Sequence, residues 1–260
     1  MITTYHRPKT LDEALILLTQ PGTIPLGGGT LLSHGTVDSV QAVDLQLLGL
    51  DSLTKNGNAL ELGATLTLQS LLESEHCPLA LKSALKLEAP LNIRNSATVA
   101  GTLVTCNGRS TFASMLLAMD AKIEQALFDN SKIEYRITNI GDFLPLRSTN
   151  LITKIILPLN IKLAFEYVSR TPADKPIVCA ALAQWNSGRT RLVLGGYGKS
   201  PMLAMDGDLP PSPAGRGIEG EGIDVAARNT YHEATDEWAS AEYRVDVAST
   251  LAKRCLEAIR

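Results

Sequence analysis

Two glycine-rich segments carry the residue types best suited to hold an anionic ligand. The first runs from Pro25 to Leu32 and contains three consecutive glycines, Gly27, Gly28 and Gly29. Glycine leaves the backbone amides uncovered and permits positive φ, so several amides can turn toward one anion such as a pyrophosphate. A glycine triplet standing alone is equally typical of a mobile turn between two elements.

The second segment, residues 93–103, reads Ile-Arg-Asn-Ser-Ala-Thr-Val-Ala-Gly-Thr-Leu. A long dinucleotide needs backbone donors around its charged middle and apolar slots for its two rings, and two loops from two lobes could supply these. Arg94 and Arg109 add positive charge nearby. For either arginine, pairing with a local carboxylate is an alternative to a phosphate contact.

Together the two segments resemble the paired FAD-binding segments in the flavoprotein subunit of molybdenum hydroxylases, the family of xanthine dehydrogenase and carbon monoxide dehydrogenase. Gly28, Gly29 and Thr30 match the family pattern Ala-Gly-Gly-Thr. The second segment follows the pattern Ile-Arg-Asn-x-Ala-Thr-Ile-Gly-Gly-Asn-Leu. It matches at Ile93, Arg94, Asn95, Ala97, Thr98, Gly101 and Leu103. The resemblance extends over nearly the whole chain.

The resemblance implies an α+β fold. Its first part is a two-lobed PCMH-type FAD-binding domain over residues 1–160, with a small lobe at about 1–54 and a larger lobe at about 55–160. A small C-terminal domain, residues 161–260, follows with a three-stranded antiparallel sheet and helices. Apolar runs at 165–169, 177–185 and 191–194 predict the three strands, and a fourfold apolar spacing over 240–259 predicts a long helix.

The resemblance also implies FAD as the cofactor, with residues 26–30 facing the pyrophosphate and residues 98–105 beside the flavin and its ribityl chain. The predicted cofactor-binding residues are Leu26, Gly27, Gly28, Gly29, Thr30, Leu31, Arg94, Thr98, Val99, Gly101, Thr102, Thr105 and Thr111. No catalytic side chain and no metal ligand is predicted.

Several positions depart from the family pattern, among them Asn107-Gly108, where the family usually has Ser-Pro. Leu31 stands where the family often has Asp or Ser, Ala100 replaces a glycine, and Thr102 replaces Asn. Thr111 occupies the position of an Asp that helps to hold the cofactor. Losing a carboxylate that accepts hydrogen bonds from a ligand costs about 1 to 3 kcal/mol if the donors stay unpaired.

The implied function is that of an electron-transfer subunit in a cytoplasmic heterotrimer. Its partners would be a large subunit with the molybdenum cofactor and a small 2Fe-2S subunit, and it would pass electrons to NAD or another acceptor. Two alternatives remain open: an FAD-free scaffold subunit of the same architecture, and a stand-alone flavin reductase or oxidase. The segment 163–260 is short for a substrate domain and carries no evident pair of acid and base residues, which disfavours the second alternative.

Composition excludes several other classes. A net charge of −3 and a pI near 5.8 provide no basic surface for nucleic acid. No apolar run approaches the roughly 20 residues of a membrane span, and no signal sequence is evident. The four cysteines are far apart and form no Cys-x-x-Cys pair, so neither zinc nor an iron–sulfur cluster is expected. No Gly-x-Ser-x-Gly motif supplies a nucleophile.

Local signals predict most of the elements. Thr10 and Glu13 form a capping box before a helix that Pro21-Gly22 ends, and Asn56-Gly57 predicts a hairpin turn. Residues 91–103 are expected to leave the helical layer as a loop after Pro90. The segment 209–222 is rich in proline, glycine and charge, and is predicted to be a mobile loop with no function of its own.

Overall fold

The structure is a computed structural model that describes residues 2–31, 39–129, 132–172, 174–209 and 221–260, with the side chain of residue 221 excepted. The chain folds into two compact units. The first comprises Met1–His76, Leu91–Thr105 and Lys122–Leu157, and the second comprises Cys77–Pro90, Cys106–Ala121 and Pro158–Arg260. Two segments from the first half of the chain therefore belong to the second unit. The predicted domain boundary near residue 160 stays a prediction.

The first unit begins with a small parallel sheet of three strands in the order β1-β3-β2. The strands are β1 (Ile2–His6), β2 (Thr23–Leu26) and β3 (Val40–Asp44), and helix α1 (Leu11–Leu18) connects the first two. The hydroxyl oxygen of Thr10 accepts a hydrogen bond from the Glu13 amide, which confirms the predicted helix start. Leu26 is the last residue of β2, so the glycine loop leaves directly from the carboxyl end of this strand.

A second sheet of the first unit has five strands in the order β4-β5-β8-β6-β7. Its strands are β4 (Leu53–Asn56), β5 (Ala59–Gly63), β6 (Lys122–Asp129), β7 (Lys132–Asn139) and β8 (Leu151–Pro158). Gly57 has a φ of +57° at the predicted Asn56-Gly57 turn. Ala14 and Leu15 of α1 pack with Ala126 and Leu151 of this sheet, so one apolar cluster joins both sheets.

Four more short helices belong to the first unit as far as its residues are described. They are α2 (Leu68–Glu73), α4 (Leu91–Arg94), α5 (Val99–Thr105) and α7 (Ile140–Leu146). The prediction that residues 91–103 form one loop was wrong, because α4 and α5 are helical and only the turn at 95–98 separates them. The backbone amides of this turn find hydrogen-bond acceptors close by, since those of Asn95 and Ala97 donate to carbonyls of α4.

The second unit contains an antiparallel sheet in the order β12-β11-β10-β9. The strands are β9 (Ile161–Val168), β10 (Val178–Trp185), β11 (Thr190–Gly195) and β12 (Met202–Gly207). The three predicted strands are present, and β12 is a fourth that sequence reasoning missed. In β12 the apolar side chain of Leu203 is exposed, and the pairing with β11 shifts in register between Leu192 and Val193. The strand therefore has no regular alternation of apolar and polar residues that would mark it in the sequence.

In the described part of the second unit there are four helices: α3 (Leu79–Glu88), α6 (Thr111–Ala118), α8 (Glu221–Thr230) and α9 (Ala241–Ala258). All eight residues of α6 are buried, which fits a helix that is apolar on every side. Helix α9 begins at the Ser240 cap as the spacing predicts. Most of the predicted mobile loop at 209–222 lies outside the described residues.

Candidate functional site

A pocket of about 440 Å³ lies entirely within the first unit, beside the glycine loop. Gly27 and Gly28 form one wall, and the turn between α4 and α5 forms another through Asn95, Ser96 and Thr98. This volume is in the range of small-molecule sites. The two segments that the sequence singled out therefore meet at one cavity.

The two segments touch so closely that only glycine fits between them. A Cβ atom placed on Gly28 would lie 1.7 Å from the carbonyl oxygen of Ser96, and one on Gly27 would lie 2.9 Å from the Thr98 hydroxyl oxygen. Gly29 has a φ of +69°, a conformation that residues with a side chain rarely adopt. The glycine triplet is thus required for close packing at two positions and for backbone conformation at the third.

The remaining wall of the pocket comes from two turns that backbone hydrogen bonds hold together. The amide of Thr65 donates to the Leu50 carbonyl at 2.8 Å, and the amide of Gly63 donates to Ser52 at 2.8 Å. These bonds place the residues around Asp51 next to the start of α2. This wall consists of Gln46, Asp51, Thr65, Leu66, Thr67 and Ser70.

Side-chain contacts within this wall are local. The hydroxyl oxygen of Thr67 caps α2 by accepting from the Ser70 amide at 3.1 Å. The backbone amide of Gln46 donates to the buried carboxylate of Asp44 at 2.9 Å, and this bond fixes the turn after β3. Among the described lining residues there are hydroxyl and amide groups and one carboxylate, that of Asp51, but no lysine or arginine.

The backbone amides of the glycine loop and of α5 differ in whether they already donate to an acceptor within the protein. The amides of Val99 and Ala100 donate to the carbonyls of Leu66 and Ala64, and the amide of Gly101 donates to the Thr98 hydroxyl oxygen. Within the described residues, the amides of Gly27 and Gly28 donate to no protein acceptor. The amides of Gly27 and Gly28 are therefore among the backbone donors available to an anion in the pocket.

Three of the predicted cofactor-binding residues, Gly27, Gly28 and Thr98, line the pocket. Thr98 is 5% exposed, and its hydroxyl oxygen accepts the Gly101 amide at 3.1 Å, which leaves the hydroxyl hydrogen as a donor. Thr30 is half-buried, and Leu31 is 60% exposed at the end of the described part of the loop.

The other predicted residues of the second segment lie outside the lining of the pocket. The guanidinium Nε of Arg94 donates to the side-chain carbonyl oxygen of Gln69 at 2.9 Å, which belongs to a carboxamide and not to the carboxylate of the alternative interpretation. Val99 is fully buried. The Thr102 amide donates to the Thr98 carbonyl, and the exposed Thr105 hydroxyl donates to the Gly101 carbonyl at 2.8 Å.

Thr111 belongs to the second unit, where it is fully buried at the start of α6. Its hydroxyl donates to the Ala84 carbonyl at 2.7 Å and lies 3.2 Å from a Glu88 carboxylate oxygen. The same oxygen of Glu88 accepts from the Ser110 hydroxyl and the Phe112 amide, and the other oxygen accepts from Lys175. A buried carboxylate thus caps α6 close to Thr111, but it comes from position 88 and is bound by protein donors.

Sequence reasoning missed eight of the eleven described residues that line the pocket. Asn95 and Ser96 were inside the matched motif and could have been chosen for their polar side chains. Gln46 and Asp51 carry no local signal, because their place in the wall depends on backbone pairing between residues 50–52 and 63–65.

Other chemistries find no support in the part of the chain that the structure describes. No group of three or more His, Cys, Asp or Glu side chains could hold a metal ion there. All four cysteines are free and buried, and burial raises the pKa of the Cys77 and Cys179 thiols to about 12. Such thiols are poor nucleophiles at neutral pH. Among the described helices none is long and apolar enough to cross a membrane.

Two known proteins are similar to this chain over nearly its whole length. The Escherichia coli K12 protein YgfM is 27% identical over 256 residues, which cover 96% of this chain and 94% of YgfM. The carbon monoxide dehydrogenase medium chain of Afipia carboxidovorans is 24% identical over 281 residues, with 97% of this chain and 95% of that protein covered.

The fold is shared with a solved structure. Carbon monoxide dehydrogenase from Hydrogenophaga pseudoflava, in a form that lacks the Mo-pyranopterin moiety of its cofactor, superposes with a TM-score of 0.82 at 20% identity. The superposition covers 98% of this chain and 96% of that one. Residues 1–160 match the family described as the FAD binding domain in molybdopterin dehydrogenase. The chain belongs to this family of molybdopterin dehydrogenase flavin domains.

Proposed function

We propose that this chain is the FAD-binding electron-transfer subunit of a molybdenum hydroxylase-type oxidoreductase and that the pocket beside the glycine loop receives the dinucleotide. The family to which residues 1–160 belong is defined by FAD binding, which supports the cofactor. The observation that carries the choice of pocket is the direct contact of the loop at Gly28 with the turn at Ser96.

The residues around the pocket fit the chemistry of a dinucleotide. The amides of Gly27 and Gly28 face no protein acceptor among the described residues, and bare glycine amides suit a diphosphate. The Thr98 hydroxyl is a third donor. Asp51 and Gln46, which lie in a wall whose described residues include no basic side chain, offer oxygen acceptors. Such acceptors suit the hydroxyl groups of a ribose better than a phosphate.

The protein's own part in such a function is binding and orientation. When bound, FAD supplies one- and two-electron redox chemistry. The glycine loop would hold the diphosphate, and the turn at 95–98 would fix that loop in place by packing against it. No acid or base of this chain has to act on a substrate, because the hydroxylation would take place on a separate subunit.

The proposal includes the partners and the acceptor. Electrons would arrive from a small 2Fe-2S subunit, a large subunit would carry the molybdenum cofactor, and NAD or another acceptor would receive the electrons. A carbon monoxide dehydrogenase medium chain is among the relatives, which supports a subunit role. The four free cysteines are typical of a reducing compartment, which supports a cytoplasmic location.

The test measures FAD affinity in variants of Thr98, a pocket residue whose hydroxyl can be removed without changing its shape. We expect Thr98→Val to weaken FAD binding about 10- to 100-fold, because a hydrogen bond to a charged group contributes about 1.5 to 3 kcal/mol. Thr98→Ser should bind nearly as the natural chain does. Thr54→Val, on the exposed strand β4, is the matched control and should bind normally.

Two results would contradict the proposal. If Thr98→Val and Thr54→Val bind FAD equally well, the dinucleotide does not use this pocket. If the natural chain binds no FAD at any concentration but copurifies with the molybdenum and iron–sulfur subunits, the chain is an FAD-free scaffold. Co-expression of the three subunits, followed by mass analysis of the complex, tests the partners separately.

A further inference from the structure

Strand β7 leaves one edge of the five-stranded sheet exposed. It is eight residues long, pairs with β6 on one side and ends the strand order β4-β5-β8-β6-β7. Six of its residues are exposed, and they include Tyr135 at 58% and Ile137 at 59%. A long edge strand with exposed apolar side chains is a template for pairing with another strand.

The two faces of β7 differ in character. Ile133, Tyr135 and Ile137 alternate on one face, and Ile133 packs against the apolar cluster beneath α1. Glu134 and Arg136 alternate on the other face, where both are exposed. Within the described residues, neither of these two charged side chains forms an ion pair.

The sequence of β7 is complementary to itself when two copies run antiparallel about a two-fold axis at Tyr135. In that register Glu134 faces Arg136 of the second copy, and Arg136 faces Glu134, so both opposite-charge pairs form. Ile133 faces Ile137 on the apolar side, and Tyr135 faces its own counterpart. A one-residue slip in register would lose the charge pairs and place apolar side chains opposite charged ones.

We propose that β7 pairs with β7 of a second copy of this chain, so that two five-stranded sheets join into one continuous ten-stranded sheet. The occupant is a second copy because one strand supplies both halves of each charge pair and both halves of each apolar pair. Such self-complementarity is what a two-fold symmetric interface requires. This inference does not depend on the cofactor or on the proposed electron-transfer role.

The first test exchanges the charges and measures the dimer dissociation constant by analytical ultracentrifugation. The natural chain should sediment as a dimer of its 27.9 kDa protomer. Glu134→Arg alone and Arg136→Glu alone should each weaken the dimer about tenfold or more, because each places like charges opposite one another twice. The double variant restores opposite charges and should dimerise as tightly as the natural chain.

The second test uses a cross-link that forms only in the stated register. Tyr135→Cys places two thiols opposite each other across the axis, whereas Ile137→Cys, equally exposed, faces Ile133 and has no thiol partner. The four natural cysteines are buried and do not interfere. After mild oxidation, Tyr135→Cys should give a disulfide-linked dimer on a non-reducing gel, and Ile137→Cys should remain a single chain.

The two tests can overturn the proposal. A natural chain that is monomeric at about 100 µM would show that the charges on β7 serve to prevent pairing. Equal dissociation constants for the natural chain and both single variants would place any dimer contact elsewhere. Cross-linking of Ile137→Cys as efficiently as Tyr135→Cys would contradict the register. Circular dichroism of each variant verifies that the chain is folded.

Discussion

The replacement of Gly28 by alanine tests most sharply how the pocket is built. Gly28 has no positive φ, so an alanine there meets no backbone penalty, and the whole effect of the change is steric. Its Cβ would lie 1.7 Å from the Ser96 carbonyl oxygen and 2.6 Å from the carbonyl carbon. The neighbour is backbone, which cannot rotate away as a flexible side chain would.

The magnitude follows from the size of the overlap. An ordinary contact of this kind is about 3.4 Å or longer, so the two segments must separate by well over 1 Å. Overpacking of a single methyl group costs about 1 to 3 kcal/mol where neighbours can adjust, and the upper end applies beside a fixed carbonyl. For a chain of this size, we expect the melting temperature to fall by about 6 to 12 °C.

The assay compares Gly28→Ala with Gly22→Ala, a control in the same unit. Gly22 has a φ of +76° and nothing within 4 Å of an added Cβ, so an alanine there meets no steric overlap. Its replacement lowers the stability only because alanine disfavours the left-handed conformation, by about 1 to 2 kcal/mol. Both variants are melted with and without FAD, and FAD affinity is measured. Gly28→Ala should lose affinity at least tenfold, whereas Gly22→Ala should keep it.

Normal FAD affinity and normal stability in Gly28→Ala would contradict this steric explanation. That result would mean that the glycine loop and the turn at Ser96 are not in contact in solution, and the pocket between them would no longer support the proposed site.

Three further predictions concern the rest of the chain. Glu88→Gln should destabilise the protein by about 2 to 3 kcal/mol in urea unfolding, because this buried carboxylate accepts from Ser110, Phe112 and Lys175, and an unchanged midpoint would contradict this. The Lys154 ammonium, 2.6 Å from Glu61, holds the pKa of that carboxyl below its ordinary 4.5. The stabilisation is complete above pH 4.5 and is lost as the pH falls further, so Lys154→Met should flatten the acid limb of a stability–pH curve, and an unchanged limb would argue against this pair. An aromatic disulfide reagent should label none of the four buried cysteines in the native chain within minutes and all four in denaturant, and fast native labelling would contradict their burial.

Local signals in the sequence were sufficient for many elements. The Thr10–Glu13 capping box and the Asn56-Gly57 turn each depend on a few adjacent residues, and both were confirmed. The contact of the two glycine-containing segments was anticipated only through the family resemblance. Its physical reason, the fit of Gly28 against Ser96, is a long-range contact that no local pattern reveals.

The features that sequence reasoning missed depend on long-range packing. Asp51 lines the pocket because the backbone at Leu50 pairs with Thr65, and neither residue type marks that pairing in advance. Likewise, α3 and α6 pack with the C-terminal strands in the second unit, although both precede the predicted boundary at residue 160. Burial of α6 on all sides required partners that lie far away along the chain.

The central claim is that this chain binds FAD, and the most direct measurement is the flavin content of the purified chain. The protein is saturated with FAD, freed of excess ligand by gel filtration and scanned in the visible range, and the released flavin is identified by chromatography. We expect one FAD per chain and no FMN, with a large loss of flavin in Gly28→Ala. A colourless chain that retains no FAD after saturation would contradict it.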